Sequence, residues 1–122
     1  MKSFTDIEQS KKLAKILPLE SADAFYDMAE PEKRQVPIIG HPDKYYDMED
    51  WVLPCWSLAL LEVLPHRIDD IYKLVLGKLS DNKGWYVGYD DYDHYLKYYV
   101  QNDNLIDACY EMIIKLYEQK LL

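Results

Sequence analysis

The densest group of side chains that could do chemistry is the segment Asp90-Asp91-Tyr92-Asp93-His94. Three carboxylates and an imidazole within five residues are ligands that a hard or borderline divalent cation accepts. The segment lacks the glycine and the distal glutamate of a calcium-binding loop. Aspartate is also a common turn residue, because its side chain hydrogen-bonds to nearby backbone. We therefore interpret the segment as a turn and predict no metal site there.

Nucleophiles and bases do not occur in patterns typical of hydrolases or transferases. Ser57 lacks the flanking glycines of a nucleophile elbow, and the chain has only four glycines and no glycine-rich phosphate loop. The three histidines, at positions 41, 66 and 94, show no HxH or HxxxH spacing. The sequence predicts no catalytic residue and no cofactor, which disfavours an enzyme.

Acidic residues are concentrated in two parts of the chain. The 122 residues include 22 acidic and 14 basic side chains, a formal charge of -8. Residues 21–50 hold eight acids and three bases, a balance of -5, and residues 81–107 hold six acids and two bases, a balance of -4. Nucleic acids and anionic membranes repel such a chain, so we expect it to bind neither directly.

The length and composition predict one folded domain over residues 1–122. A hydrophobic content of 49% is typical of a globular protein. No apolar run reaches the 18 or so residues of a membrane span, and the first residues lack the apolar stretch of a secretory signal, so we expect a cytoplasmic protein. Cys55 and Cys109 lie in apolar segments without CxxC spacing, which predicts two buried, reduced thiols.

The N-terminal half predicts helices separated by irregular chain. Thr5 and Glu8 have the spacing of a capping box, which predicts a helix that ends before Pro18. Residues 22–28 fit a strand and, nearly as well, a helical turn, and short extended pieces fit residues 36–39 and 44–48. Residues 51–65 are almost entirely apolar, with Pro54 where the first turn of a helix tolerates it, and therefore predict a central core helix.

The C-terminal half predicts a meander followed by a helix. Residues 71–79, 85–89 and 94–100 are rich in aromatic and β-branched residues and are separated by turn residues. Asn104 is a good N-cap for an amphipathic helix whose apolar stripe includes Cys109 and Met112. The predicted fold class is α+β: a small antiparallel sheet, made of this three-stranded meander and possible short strands, packed against two or three helices.

Three stretches of the C-terminal 70 residues have a distinctive sequence. They are Leu53-Pro54-Cys55-Trp56-Ser57-Leu58 through Leu64-Pro65, Gly84-Trp85-Tyr86-Val87-Gly88-Tyr89, and Asn104-Leu105-Ile106-Asp107-Ala108-Cys109-Tyr110-Glu111-Met112-Ile113. In these stretches the chain resembles a group of short uncharacterised proteins of gut Bacteroides-type bacteria and of their phages and mobile elements. That group has no established activity, so the resemblance carries over no functional residue. It implies a bacterial or phage cytoplasm and an accessory role.

Tyrosine is unusually frequent, with 12 tyrosines against two phenylalanines. Tyrosine and tryptophan are enriched in protein interfaces, and several tyrosines lie in or beside the acidic segments. We therefore predict a small acidic cytosolic accessory protein that binds another protein carrying a basic patch. The expected contact residues are the tyrosines and aspartates of these segments: Tyr45, Tyr46, Tyr89, Asp90, Asp91, Tyr92 and Asp93.

Other interpretations stay open. The tyrosines can simply cover a small sheet while the charge keeps the protein soluble. A second hypothesis is a nucleic-acid mimic that inhibits a host or phage enzyme, although a charge of -8 spread over two segments is modest for mimicry. A third is a small enzyme with a cleft between residues 29–50 and the sheet. A pair of carboxylates in a pocket would favour the enzyme, and a flat acidic face would favour the binding protein.

Overall fold

The computed structural model describes residues 2–29, 36–42, 51–80, 83–93 and 95–122. These residues form three α-helices and two small antiparallel sheets, which confirms the predicted α+β class. The chain divides into two compact units, residues 2–60 and 61–122. Cooperative folding of residues 1–122 as one domain stays a prediction. Among the described residues, no helix combines the length and the hydrophobicity that crossing a bilayer requires.

The N-terminal unit combines a helix with a three-stranded sheet. Its elements are α1 (Ile7–Ala14), a 3-10 turn (Leu19–Ser21), β1 (Ala24–Asp27), β2 (Ile38–Ile39) and β3 (Val52–Cys55), and α2 (Leu60–Val63) follows where the two units divide. The strand order is β2-β1-β3, both pairs are antiparallel, and α1 packs on β3. Two of the three extended segments predicted in this half are confirmed; the third, residues 44–48, lies outside the described residues.

The first helix is confirmed, but its predicted cap is wrong by one residue. Asp6 is the N-cap: its carboxylate accepts a hydrogen bond from the N–H of Gln9, and the Gln9 side chain accepts one from the N–H of Asp6. Thr5 is fully buried, and its hydroxyl oxygen accepts a 3.1 Å hydrogen bond from the N–H of Trp56. The Thr5 side chain therefore joins the helix entry to the end of β3 instead of capping α1.

The core helix predicted over residues 51–65 is wrong. The first part of this segment is strand β3, and α2 covers only its later residues. Pro54 fits the strand because β3 lies at the edge of its sheet, where an absent N–H removes no central ladder bond. Ser57 then begins the helical turn, since its carbonyl accepts from the N–H of Leu60 and its hydroxyl from the N–H of Ala59.

The C-terminal unit is a four-stranded antiparallel sheet with one long helix. Its elements are β4 (Arg67–Ile68), β5 (Tyr72–Lys78), β6 (Trp85–Asp90), β7 (Leu96–Asn102) and α3 (Leu105–Glu118), and the strand order is β4-β5-β6-β7. The meander and the Asn104 cap are confirmed, the latter by a 3.1 Å hydrogen bond from the N–H of Asp107. Strand β4 is additional; it joins β5 through a tight turn in which Asp69 and Asp70 have φ angles of 55° and 57°.

Helix α3 packs on one face of this sheet, at β6 and β7. Val87 and Tyr89 of β6 are fully buried, and they pair across the sheet with Val100 and Tyr98. The pairing then shifts by one residue at Lys97, so that Asp90 lies opposite Leu96. This β-bulge turns Leu96 to the opposite face of the sheet, although the alternation in the sequence places Leu96 with Tyr98.

Candidate functional site

The face of the four-stranded sheet opposite α3, here called the distal face, carries a depression. Because Val87 and Tyr89 face α3, the alternation along β6 places Tyr86, Gly88 and Asp90 on the distal face. The depression has a volume of about 320 Å³, within the range of ligand pockets. We call it the distal depression; its lining residues are Val75, Leu79, Tyr86, Asp90, Leu96 and Tyr99.

Two glycines bring the aromatic rings of this site close to the backbone. Gly77 faces Tyr86 across the sheet, and a Cβ atom at position 77 would lie 2.7 Å from the Tyr86 ring. Gly88 faces Tyr99, whose ring would lie 3.6 Å from a Cβ atom there. The two rings stack with their centroids 6.2 Å apart and their planes 19° apart. Aromatic residues often cover strand glycines in this way, so the pair also has a structural role.

The other end of the depression is polar. Asp90 is only 8% exposed and lines the depression with its neighbour Leu96. Across β5 and β4, the register places Lys73 opposite Asp90 and Arg67 opposite Lys73, and both of these basic residues are exposed. The distal face therefore changes along β6 from paired aromatic rings to a carboxylate, with Lys73 opposite it on β5 and Arg67 one strand farther away on β4.

The hairpin between β6 and β7 follows directly from this polar end. The Asp91 carboxylate accepts hydrogen bonds from the N–H groups of Asp93 (2.8 Å) and Tyr95 (3.0 Å), and the Asp91 N–H donates to the Tyr95 carbonyl (3.1 Å). The interpretation of this segment as a turn is confirmed for its described residues. Tyr92 and Tyr95 are 80% and 72% exposed, so the turn presents two aromatic side chains to solvent.

Two of the predicted contact residues lie in the interior. Tyr89 is fully buried, and its hydroxyl donates a 2.7 Å hydrogen bond to the carbonyl of Pro65. Burial raises the pKa of this hydroxyl, with a smaller contribution from Cys109. Its place on a contact surface is therefore wrong, because α3 covers the face on which it lies. Asp90 is also largely buried, and it lines the distal depression.

The remaining predicted contact residues differ in position. Tyr92 and Asp93 are exposed at the hairpin tip, and Asp91 is half-buried because its carboxylate closes the turn. Tyr45 and Tyr46 lie outside the described residues, as does His94. The alternative enzyme cleft borders residues 29–50, of which 30–35 and 43–50 also lie outside them.

Sequence reasoning missed the aromatic residues of the distal face. The predicted contact residues do not include Tyr86 and Tyr99. They also do not include Tyr95, which lies in the hairpin between β6 and β7. The pairing of the strands is the signal that identifies Tyr86 and Tyr99. When residues 72–78, 85–90 and 96–102 are aligned as a meander, each of these two tyrosines lies opposite a glycine. Because glycine has no side chain, the ring of a tyrosine opposite it can lie flat over the strand.

The N-terminal unit has a polar cluster of its own at Asp23. The carboxylate accepts hydrogen bonds from both the N–H and the hydroxyl of Ser57. The nearby thiol of Cys55 is fully buried, and burial together with Asp23 raises its pKa to about 12. A thiol with such a pKa is a poor nucleophile, and Ser57 caps the turn that leads to α2. The cluster therefore has the properties of a structural cap.

A second depression, of about 370 Å³, lies beside the start of α1 and is lined by Asp6, Ile7, Glu8 and Tyr26. The Tyr26 hydroxyl donates a 2.7 Å hydrogen bond to the Thr5 carbonyl, and burial raises its pKa to about 12. Asp6 is occupied as the helix cap. Among the described residues, no three His, Cys, Asp or Glu side chains are grouped as ligands for a metal ion.

Comparisons of the chain with protein-family models, with curated proteins and with solved structures found no match. The geometry and chemistry of the chain's own residues are therefore the basis on which its function is inferred.

Proposed function

We propose that this chain is a small accessory protein of a bacterial or phage cytoplasm that binds another protein through the β6–β7 hairpin and the adjoining distal depression. The observation that carries this proposal is the hairpin tip. Its backbone is fixed by the Asp91 carboxylate, and it presents Tyr92 and Tyr95 largely exposed to solvent.

A fixed turn with exposed tyrosines is well suited to binding. Ordering a loop on association opposes binding, so a turn that is already closed by side-chain hydrogen bonds lowers that free-energy cost. Tyrosine adds a large contact area with few rotatable bonds, and buried tyrosines are frequent energetic anchors at interfaces. Exposed aromatic residues on a turn that side-chain hydrogen bonds close therefore favour a role in binding.

The charge of the chain favours a basic surface on the partner. The whole chain has a charge of -8, and residues 81–107, which include the hairpin, contribute -4. Asp93 is exposed at the tip beside Tyr92. Complementary charge of this kind increases the rate of encounter and selects against partners of like charge.

Site-specific photo-crosslinking in the source cells tests this proposal. A photoreactive phenylalanine analogue is placed at Tyr92 or Tyr95, and in a matched control at Tyr117, which is 49% exposed on α3. We expect one discrete adduct of the same protein from both hairpin positions and not from position 117. The adduct should be abolished by Asp93→Lys in the same chain. Adducts of equal yield from all three positions, or none from the hairpin, would contradict the proposal.

A further inference from the structure

We propose that the distal depression receives an arginine side chain of the partner protein. This inference rests on the proposed function, because the depression adjoins the hairpin: Asp90 and Leu96 line it, and they are the residues from which β6 and β7 enter the turn. It adds the chemistry that the partner must supply at this point of the contact.

The aromatic part of the depression matches a planar cation. The rings of Tyr86 and Tyr99 are nearly parallel, and Tyr99 is 38% exposed although its ring covers a glycine. A guanidinium group stacks on such a ring face through cation–π attraction and through its own planarity. The apolar side chains of Val75, Leu79 and Leu96 can contact the aliphatic stem of an arginine, which is itself apolar.

The carboxylate of Asp90 supplies the charge complement. Along β6, Gly88 lies between Tyr86 and Asp90, and Gly88 pairs with Tyr99. The Tyr99 ring is therefore the aromatic surface nearer to the carboxylate, so an arginine that lies on Tyr99 can direct its guanidinium towards Asp90. A carboxylate accepts several hydrogen bonds at once, and arginine offers them in a bidentate arrangement that lysine lacks.

Lys73 distinguishes arginine binding at Asp90 from attraction by the net charge of the chain. It is exposed and lies opposite Asp90 across β5 and β6, so it repels a second cation that enters the depression. If the acidic chain attracted arginine only through its net charge, then removing any one lysine would have the same small effect. If arginine binds at Asp90, Lys73→Gln should tighten binding more than Lys83→Gln does, since both replacements change the net charge equally.

A titration of the purified protein followed by ¹H–¹⁵N NMR tests the inference without a partner. The probes are the methylamides of acetyl-arginine, acetyl-citrulline and acetyl-norleucine; citrulline keeps the shape of arginine without its charge. We expect arginine to shift the amide signals of Gly77, Gly88 and Tyr99, with citrulline at least about tenfold weaker, because a charged hydrogen bond and the cation–π contact are both lost. Tyr99→Leu should weaken arginine binding several-fold, and Asp90→Asn about tenfold or more.

Three results would overturn the inference. These are equal binding of arginine and citrulline, tighter binding of norleucine, and arginine shifts that are spread over the acidic surface and unchanged by Tyr99→Leu. The Tyr99 variant changes a partly exposed strand residue, so it keeps the test decisive if Asp90→Asn does not fold. A negative titration with a positive crosslink at the hairpin would reject the arginine pocket alone, whereas a negative crosslink would reject the binding proposal itself.

Discussion

The ring of Tyr86 lies over Gly77, its partner across β5 and β6, so closely that a Cβ atom at position 77 would be 2.7 Å from the ring. Gly88 is enclosed differently, since a Cβ atom there would lie 2.9 Å from the backbone carbonyl oxygen of Tyr98. A side chain at position 77 would therefore meet the far end of the Tyr86 side chain. A side chain at position 88 would meet backbone that cannot move independently of the sheet.

This difference predicts unequal effects of alanine at the two positions. Gly88→Ala should lower the free energy of unfolding by about 1–3 kcal/mol, because overpacking against backbone forces the strands apart. Gly77→Ala should cost less, since the Tyr86 ring can rotate away from the new methyl group. Urea unfolding of the two variants measures both changes. An equal or larger loss for Gly77→Ala would show that the Tyr86 ring is held in place and cannot yield.

The cap of α1 gives a second prediction. Asp6→Ala should destabilise the protein by about 0.5–2 kcal/mol, because it removes the acceptor of the Gln9 N–H at the helix start. Glu8→Ala is the matched control: Glu8 is exposed in the same turn and should change stability by less than about 0.5 kcal/mol. A larger loss for Glu8→Ala than for Asp6→Ala would instead support the capping box that the sequence suggests.

That disagreement shows what local sequence cannot decide. Thr5 and Asp6 are both good N-cap residues, each with a suitable residue three positions later. The choice between them depends on Trp56, which is 51 positions further along and takes the Thr5 hydroxyl into the interior. Pro54 is ambiguous for a similar reason, because proline suits both the first turn of a helix and an edge strand. Long-range pairing, which the sequence does not display, settles both cases.

Strong periodicity, in contrast, was sufficient for the C-terminal unit. The meander and α3 have long amphipathic patterns with turn residues between them, and both are confirmed. The same periodicity indicates which residues of β6 share a face, but it indicates neither the bulge that turns Leu96 to the other face nor the face that the helix covers. The sequence therefore predicts Tyr89 on a contact surface although it is buried, and it does not single out Tyr86 and Tyr99, which lie on the opposite face.

The buried thiols predict a loss of stability in alkaline solution. Cys55 and Cys109 are fully buried free thiols, as predicted, and burial raises the pKa of each from 9.0 to about 12. Above pH 9 the unfolded chain releases these protons while the native protein retains them, so the unfolded state binds fewer protons and stability falls as pH rises towards 12. Each thiol lowers the free energy of unfolding by up to about 1.4 kcal/mol per pH unit in this range.

Urea unfolding at pH 7, 9, 10 and 11 measures this slope. Cys109→Ala should make the slope shallower, whatever its effect on stability at pH 7, because one of the titrating groups is gone. Both thiols should also react slowly with a disulfide reagent in the native protein at pH 8 and rapidly after unfolding. An unchanged slope in the variant, or rapid reaction of the native protein, would show that the thiols are accessible to solvent.

The last prediction concerns the kinetics of partner binding at the hairpin. Asp93 is the exposed aspartate of this turn, and it contributes its backbone N–H, not its carboxylate, to the closure. The Asp91 carboxylate, in contrast, holds the backbone, and Asp90 is largely buried. Asp93→Asn should therefore lower the association rate with a basic partner and leave the unfolding free energy within about 0.5 kcal/mol. Tyr92→Ala should mainly raise the dissociation rate, because anchor residues determine residence time more than encounter.

Surface plasmon resonance at two salt concentrations, with the partner protein that the crosslinking experiment identifies, separates these effects. Added salt should slow association of the native chain, because exposed charges are screened over about 10 Å at 0.1 M ionic strength. The slowing should be smaller for Asp93→Asn, which has already lost part of the attraction, and unchanged for Tyr92→Ala. Asp91→Ala should differ from both: it opens the turn, so it should reduce affinity even at high salt. Binding that is indifferent to salt and to all three substitutions would mean that the hairpin is merely solvated.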